Sequence, residues 1–146
     1  MSATEDLLQR IDAEKREYDQ TIWPPASEEA INRVRSYARD TLQAELSDGY
    51  VALLRRNDGV NFNSYFIYGA TEHKEPFLGG FIEVNARLAD PPSRFVFYGE
   101  TGNTLYAQER TSGRWVALDV PSLDEVDEFD SFDAMLEHVL SEAYDE

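Results

Sequence analysis

Few side chains in this sequence have the types and spacing that catalysis or ligand binding demands. The chain has no cysteine and two histidines, His73 and His138, which excludes thiolate nucleophiles, zinc–thiolate centres and disulfide frameworks. His73 stands beside Lys74 and Glu75 in a polar stretch, and His138 lies between Glu137 and Val139. Neither has a second ligand at metal spacing, so each reads as a lone surface histidine. Gly99-Glu100-Thr101-Gly102 has the glycines of a phosphate loop without the Gly-Lys-Ser/Thr that grips phosphate, and its glutamate would repel an anion. A hairpin loop between strands fits it better.

Two further chemistries can be tested on spacing. Asp119, Asp124, Glu125, Asp127, Glu128 and Asp130 supply the oxygen ligands a calcium ion takes. The spacing of Asp124 and Asp127 is wrong for a calcium loop, Phe129 stands where a tight turn needs glycine, and no glutamate closes the pattern. The stretch reads instead as a solvated acidic linker or as a docking surface for a basic partner. Tyr65, Tyr68, Tyr98, Tyr106 and Trp115 have the ring types that stack nucleobases, but that mode also needs Lys and Arg to hold phosphates. Sheet packing is the simpler use for most of them.

The charge balance points the same way. Against 13 Lys and Arg stand 29 Asp and Glu, a formal net charge of −16. Such a surface repels phosphate backbones and attracts basic partners, while also keeping a protein soluble. No apolar run approaches the roughly 20 residues of a membrane span, and Met1 to Asp6 lack the basic and apolar regions of a signal peptide. The expectation is a soluble, cytoplasmic protein that contacts neither membrane nor nucleic acid, holds no cofactor or metal, and is not an enzyme.

The elements that must position these residues follow from periodicity. Thr4 to Tyr18 place Leu7, Leu8, Ile11 and Tyr18 on one helical stripe, and Trp23-Pro24-Pro25 breaks it. Ser27 caps a second helix whose Ile31, Val34, Ala38 and Leu42 share a face. Ser47 caps a third, Asp48 to Arg56, which stops on Asn57-Asp58-Gly59, residues that tolerate left-handed backbone. After that corner Tyr65 to Tyr68 reads as a strand, Thr71 to Gly80 as a loop, and Phe81 to Leu88 as a helix ending before Pro91-Pro92. Arg94–Tyr98, Leu105–Glu109 and Arg114–Leu118 form a predicted β-meander. The acidic linker follows, then a helix carrying Phe132, Met135, Leu136, Val139 and Leu140, capped by Asp130 or Ser131 and fraying from Ser141. With no repeat or low-complexity linker, this predicts one α+β domain over residues 1–146, an antiparallel-rich sheet with N-terminal helices and a C-terminal helix packed against it. Its core spans about 23–140, and 1–22 form an N-terminal helical extension.

Leu53-Leu54-x-x-Asn57-Asp58-Gly59, Phe62-Asn63, Phe66-Ile67-Tyr68-Gly69 and Phe97-Tyr98-Gly99-Glu100-Thr101-Gly102 occur in an order that resembles the SUKH superfamily and, within it, the bacterial YrhA-like branch. Leu105-Tyr106, Trp115-x-x-Leu118-Asp119 and Phe129-Asp130-Ser131-Phe132-x-x-Met135-Leu136 extend the likeness over roughly Trp23 to Leu140. The chain departs from the family pattern at Leu46-Ser47, where Leu-Pro is common, and at Ser64, where glycine is. The resemblance implies a SUKH-like fold and a role in protein binding, without catalytic residues. Bacterial relatives are thought to be immunity proteins against polymorphic toxins, and the yeast cell-wall assembly regulator is similar in fold.

The expected function is therefore a non-catalytic binding protein that occludes a cognate bacterial toxin, with a basic nuclease domain as the expected partner. The alternative is a regulatory or scaffold module with no toxin partner. Glu100, Tyr106, Asp119, Asp124, Glu125, Asp127 and Glu128 are the candidate contact residues, acidic groups with an exposed aromatic as anchor. Oligomeric state is left open by the sequence.

Overall fold

The computed structural model describes residues 3–74, 77–88 and 94–145. The first helix, α1 (Ala3–Glu17), buries Leu8 and Ile11 and packs along the last helix, α5 (Phe132–Asp145). Both leucine and isoleucine join the main hydrophobic cluster, so the N-terminal segment contributes to the core. Tyr18 does not follow them and is 64% exposed. The helix ends one residue earlier and Asp19 turns the chain away at φ 57°. Lys15 takes the buried place on that stripe, its Nζ donating to the Thr21 carbonyl at 3.3 Å and lying 5.9 Å from the Trp23 ring centre. Burial lowers its pKa, and Asp12 partly offsets this.

Helix α2 (Glu28–Tyr37) starts as its capping serine predicts, with Ala30 N–H donating to Ser27 Oγ at 3.0 Å. A π-helical turn, Ala38–Leu42, continues it and keeps Ala38 and Leu42 buried. Helix α3 (Asp48–Arg56) is capped by Ser47, whose Oγ accepts from Gly49 N–H at 3.1 Å. At its end the structure corrects the reading of Asn57-Asp58-Gly59 as a corner chosen for backbone geometry alone. Only Gly59 is left-handed, at φ 93°, and a Cβ there would meet the Ile67 carbonyl at 2.7 Å. Asn57 is extended at φ −148°, and its buried side chain donates to the Trp23 carbonyl at 2.8 Å. Asp58 is 5% exposed and accepts hydrogen bonds from Ala70 N–H and Thr71 Oγ1.

His73 belongs to the same network, contrary to its reading as a surface residue. Its Nε2 lies 2.6 Å from the Asp58 carbonyl oxygen, and its ring stacks on Trp23 with centroids 3.6 Å apart. The groups come from distant parts of the chain, so spacing could not reveal them. Arg56 completes the corner by reaching Glu5 at 2.9 Å and Asp12 at 3.0 Å, which ties α3 to α1.

Beyond the corner lies a six-stranded antiparallel sheet of β1 (Val60–Phe62), β2 (Tyr65–Ile67), β5 (Phe95–Thr101), β6 (Thr104–Glu109), β7 (Trp115–Asp119) and β8 (Glu125–Phe129), in the spatial order β1-β2-β5-β6-β7-β8. The stretch expected to be a loop before Gly80 carries a small ladder, β3 (His73–Lys74) with β4 (Phe77–Leu78). Gly99 to Thr101, expected in a hairpin loop, continue β5, and only Gly102-Asn103 turn the chain into β6. Helix α4 (Phe81–Leu88) matches its prediction; Pro91-Pro92 lie outside the described residues. Buried Asn85 fastens it to β5 by donating to the Phe97 carbonyl and accepting from Phe97 N–H, both at 2.9 Å. Those bonds sit where the β5–β6 register slips between Phe97 and Gly99.

The centre of the core is aromatic. Tyr50 of α3, Phe81 of α4, Tyr98 of β5, Trp115 of β7 and Phe132 of α5 form a contiguous ring cluster with centroids 4.9 to 5.7 Å apart. Helix α5 is capped by Ser131, whose Oγ accepts from Ala134 N–H at 3.0 Å. It does not fray at Ser141 but continues to Asp145, with Ala143 1% exposed. The architecture is α+β, with N-terminal helices and a C-terminal helix packed against an antiparallel sheet.

Candidate protein-interaction surface

The segment expected as an acidic linker is the second half of a β-hairpin at the edge of the sheet. Strand β7 is buried from Trp115 to Leu118, and the chain then turns through residues 120–124 into β8. Asp119 N–H donates to the Asp124 carbonyl at 2.9 Å, and Leu123 N–H donates to the Asp119 carbonyl at 2.7 Å. Ser122 Oγ bonds the Asp119 carboxylate at 3.1 Å and accepts from Asp124 N–H at 3.2 Å, which sets both acids at the turn. Val116 pairs with Glu128, Ala117 with Asp127 and Leu118 with Glu125, so Val126 is the extra residue of a bulge. Four of the five β8 residues are exposed, and among the described residues no strand flanks β8 on its outer side.

Asp119, Asp124, Glu125, Asp127 and Glu128 are thus brought together on one hairpin. Glu100 is not among them. It lies on β5, half-buried, and accepts a hydrogen bond from Tyr68 Oη at 2.8 Å. Burial, and then the carboxylate beside it, raises the Tyr68 phenol well above its ordinary value. Tyr106 must be withdrawn as a surface anchor, because it is 2% exposed. It sits on β6, between β5 and β7, with Glu142 of α5 and Tyr65 of β2 near its buried phenol. His138, read as a lone surface residue, is half-buried, 3.2 Å from Glu142 and with its ring centre 5.0 Å from that of Phe129.

The hairpin carries its own partial charge compensation. Arg114, just before β7, reaches Glu128 at 3.1 Å, Glu125 at 2.5 Å and Glu109 at 3.5 Å. Glu109 is also bonded by Ser112 Oγ and Arg94, and these contacts hold its carboxyl below the usual range. Among the described residues, no cation lies within ion-pair distance of Asp119, Asp124 or Asp127. The hairpin therefore carries three carboxylates with no fixed counter-charge: Asp124 and Asp127 are exposed and Asp119 is half-buried.

Sequence reasoning missed the apolar component of this surface. Val120, Leu123 and Val126 are 39%, 41% and 61% exposed, three of the five exposed large hydrophobics among the described residues. Their presence in an acidic run was visible in the sequence. Their exposure was not, because it follows from the edge position of β8 and from Leu123 adopting φ 62°.

Among the described residues, no three His, Asp or Glu side chains converge as metal ligands, and no helix is long and apolar enough to cross a membrane. No protein-family model matches the chain, and no curated protein matches it significantly.

Proposed function

We propose that this is a non-catalytic binding protein of the immunity type, which neutralises a basic bacterial toxin domain by covering it. The observation that carries the reading is the β7–β8 hairpin: an acidic edge with uncompensated carboxylates on a chain of net charge −16. A nuclease toxin must be basic to hold its substrate, and a partner with this field would be steered to it rapidly. The resemblance to the SUKH superfamily supports the same class of function. In this account the acidic groups set encounter rate and orientation, and occlusion by a folded surface does the neutralising.

The reading is tested by co-expression with a basic nuclease toxin encoded beside the gene for this protein. Growth should be restored by the wild-type chain. Killing that proceeds equally with and without it would overturn the proposal.

A further inference from the structure

We infer that the outer edge of β8 is a docking strip for an extended basic segment of a partner protein, with Val120, Leu123 and Val126 as its apolar contacts. This rests on the reading of the protein as a binding domain and specifies the partner's local chemistry. Three independent features of the hairpin converge on it. The first is the free edge: β8 bonds β7 on one side and, among the described residues, has no strand on the other, so an added strand can pair with its outward backbone groups.

The second is the exposed aliphatic trio. Seven consecutive residues of an acidic run hold Val120, Leu123 and Val126, all more than a third exposed. Leu123 is held at φ 62°, a conformation bulky side chains avoid, at the tip of the turn. Apolar contacts surrounded by charge are the arrangement of an interface centre and its rim.

The third is charge, which selects among occupants. A second copy would bring Asp119, Asp124, Glu125, Asp127 and Glu128 against the same five groups, so edge-to-edge self-pairing is repelled. The carboxylates that exclude a second copy favour Lys and Arg. An extended segment that interleaves cationic and apolar residues can bring its cations to the carboxylates and its apolar side chains to the trio along the same strip.

A short peptide alternating lysine and valine is the probe, titrated into the full-length protein and followed by amide chemical shifts. Shift changes should concentrate at residues 119–128. A matched peptide with serine in place of valine should bind about tenfold more weakly, and one with glutamate in place of lysine should not bind. Leu123→Gly removes the side chain and relieves its backbone strain, so this variant should be more stable yet bind the lysine–valine peptide less well. Val126→Ser should also weaken binding, with little change in stability.

Equal binding of the serine peptide would overturn the inference, as would changes scattered over the whole acidic surface or unaltered binding by the Leu123→Gly, Val126→Ser double variant. Self-association of the free protein through β8 would overturn it too. The peptide experiment requires no toxin. A hairpin that binds the peptide in a protein that fails to neutralise would sink the immunity reading alone, and neutralisation without peptide binding would sink only this one.

Discussion

At Asn63-Ser64 the chain turns between β1 and β2 with both residues left-handed, at φ 51° and 68°. This is the two-residue hairpin geometry that asparagine followed by glycine fills best. Serine has a Cβ that resists the conformation, so Ser64→Gly is expected to raise stability by about 0.5–1 kcal/mol in urea unfolding. Asp58 provides the opposite case. Its buried carboxylate satisfies Ala70 N–H and Thr71 Oγ1, and Asp58→Ala would leave buried donors unpaired. A loss of about 2–3 kcal/mol is expected, visible as a lower unfolding midpoint. The outcome for Asp58 distinguishes a polar network from a corner defined by backbone angles alone.

Among the elements, β8 shows most clearly why part of the surface was hidden. Helices α2 and α3 were legible because capping serines precede apolar residues at helical spacing, and β5 to β7 because short β-prone runs alternate with turn residues. In β8, Glu125, Asp127 and Glu128 outnumber the apolar residues, so its strand character comes from pairing with buried β7. Exposure was harder still to read: Tyr106 and Leu123 look equally available in the sequence, yet one lies on an interior strand and the other at a turn. The acidic positions could be named from composition, but their apolar companions required the hairpin. Arg114 is the cation that fastens this edge through Glu125 and Glu128. Because that bridge is solvent-exposed, Arg114→Ala should cost less than about 1 kcal/mol of global stability. It should nevertheless speed amide exchange locally in β8, and unchanged β8 protection would contradict the assigned role.

For the whole molecule, burial and charge give separate responses to solution conditions. Tyr50, Tyr68, Tyr98 and Tyr106 all have phenols raised by burial. The folded state therefore favours their neutral form: this contribution is full below the ordinary tyrosine value of about 10 and is lost as pH rises past it, where the unfolded chain ionises first. Urea midpoints should fall steeply above that pH, with the tyrosinate absorbance of these four buried phenols appearing together with unfolding rather than before it. The net charge of −16 acts over longer distances and should govern encounter with a basic partner. The most direct measurement is the association rate with the proposed partner, a basic nuclease toxin domain, followed across ionic strength for the wild type and for a variant with Asp124, Glu125, Asp127 and Glu128 all changed to lysine. The wild-type rate should fall steeply with added salt, and the variant should associate at least about tenfold more slowly at low salt; equal rates for the two proteins at low salt would contradict the assignment of the β7–β8 hairpin as the contact surface.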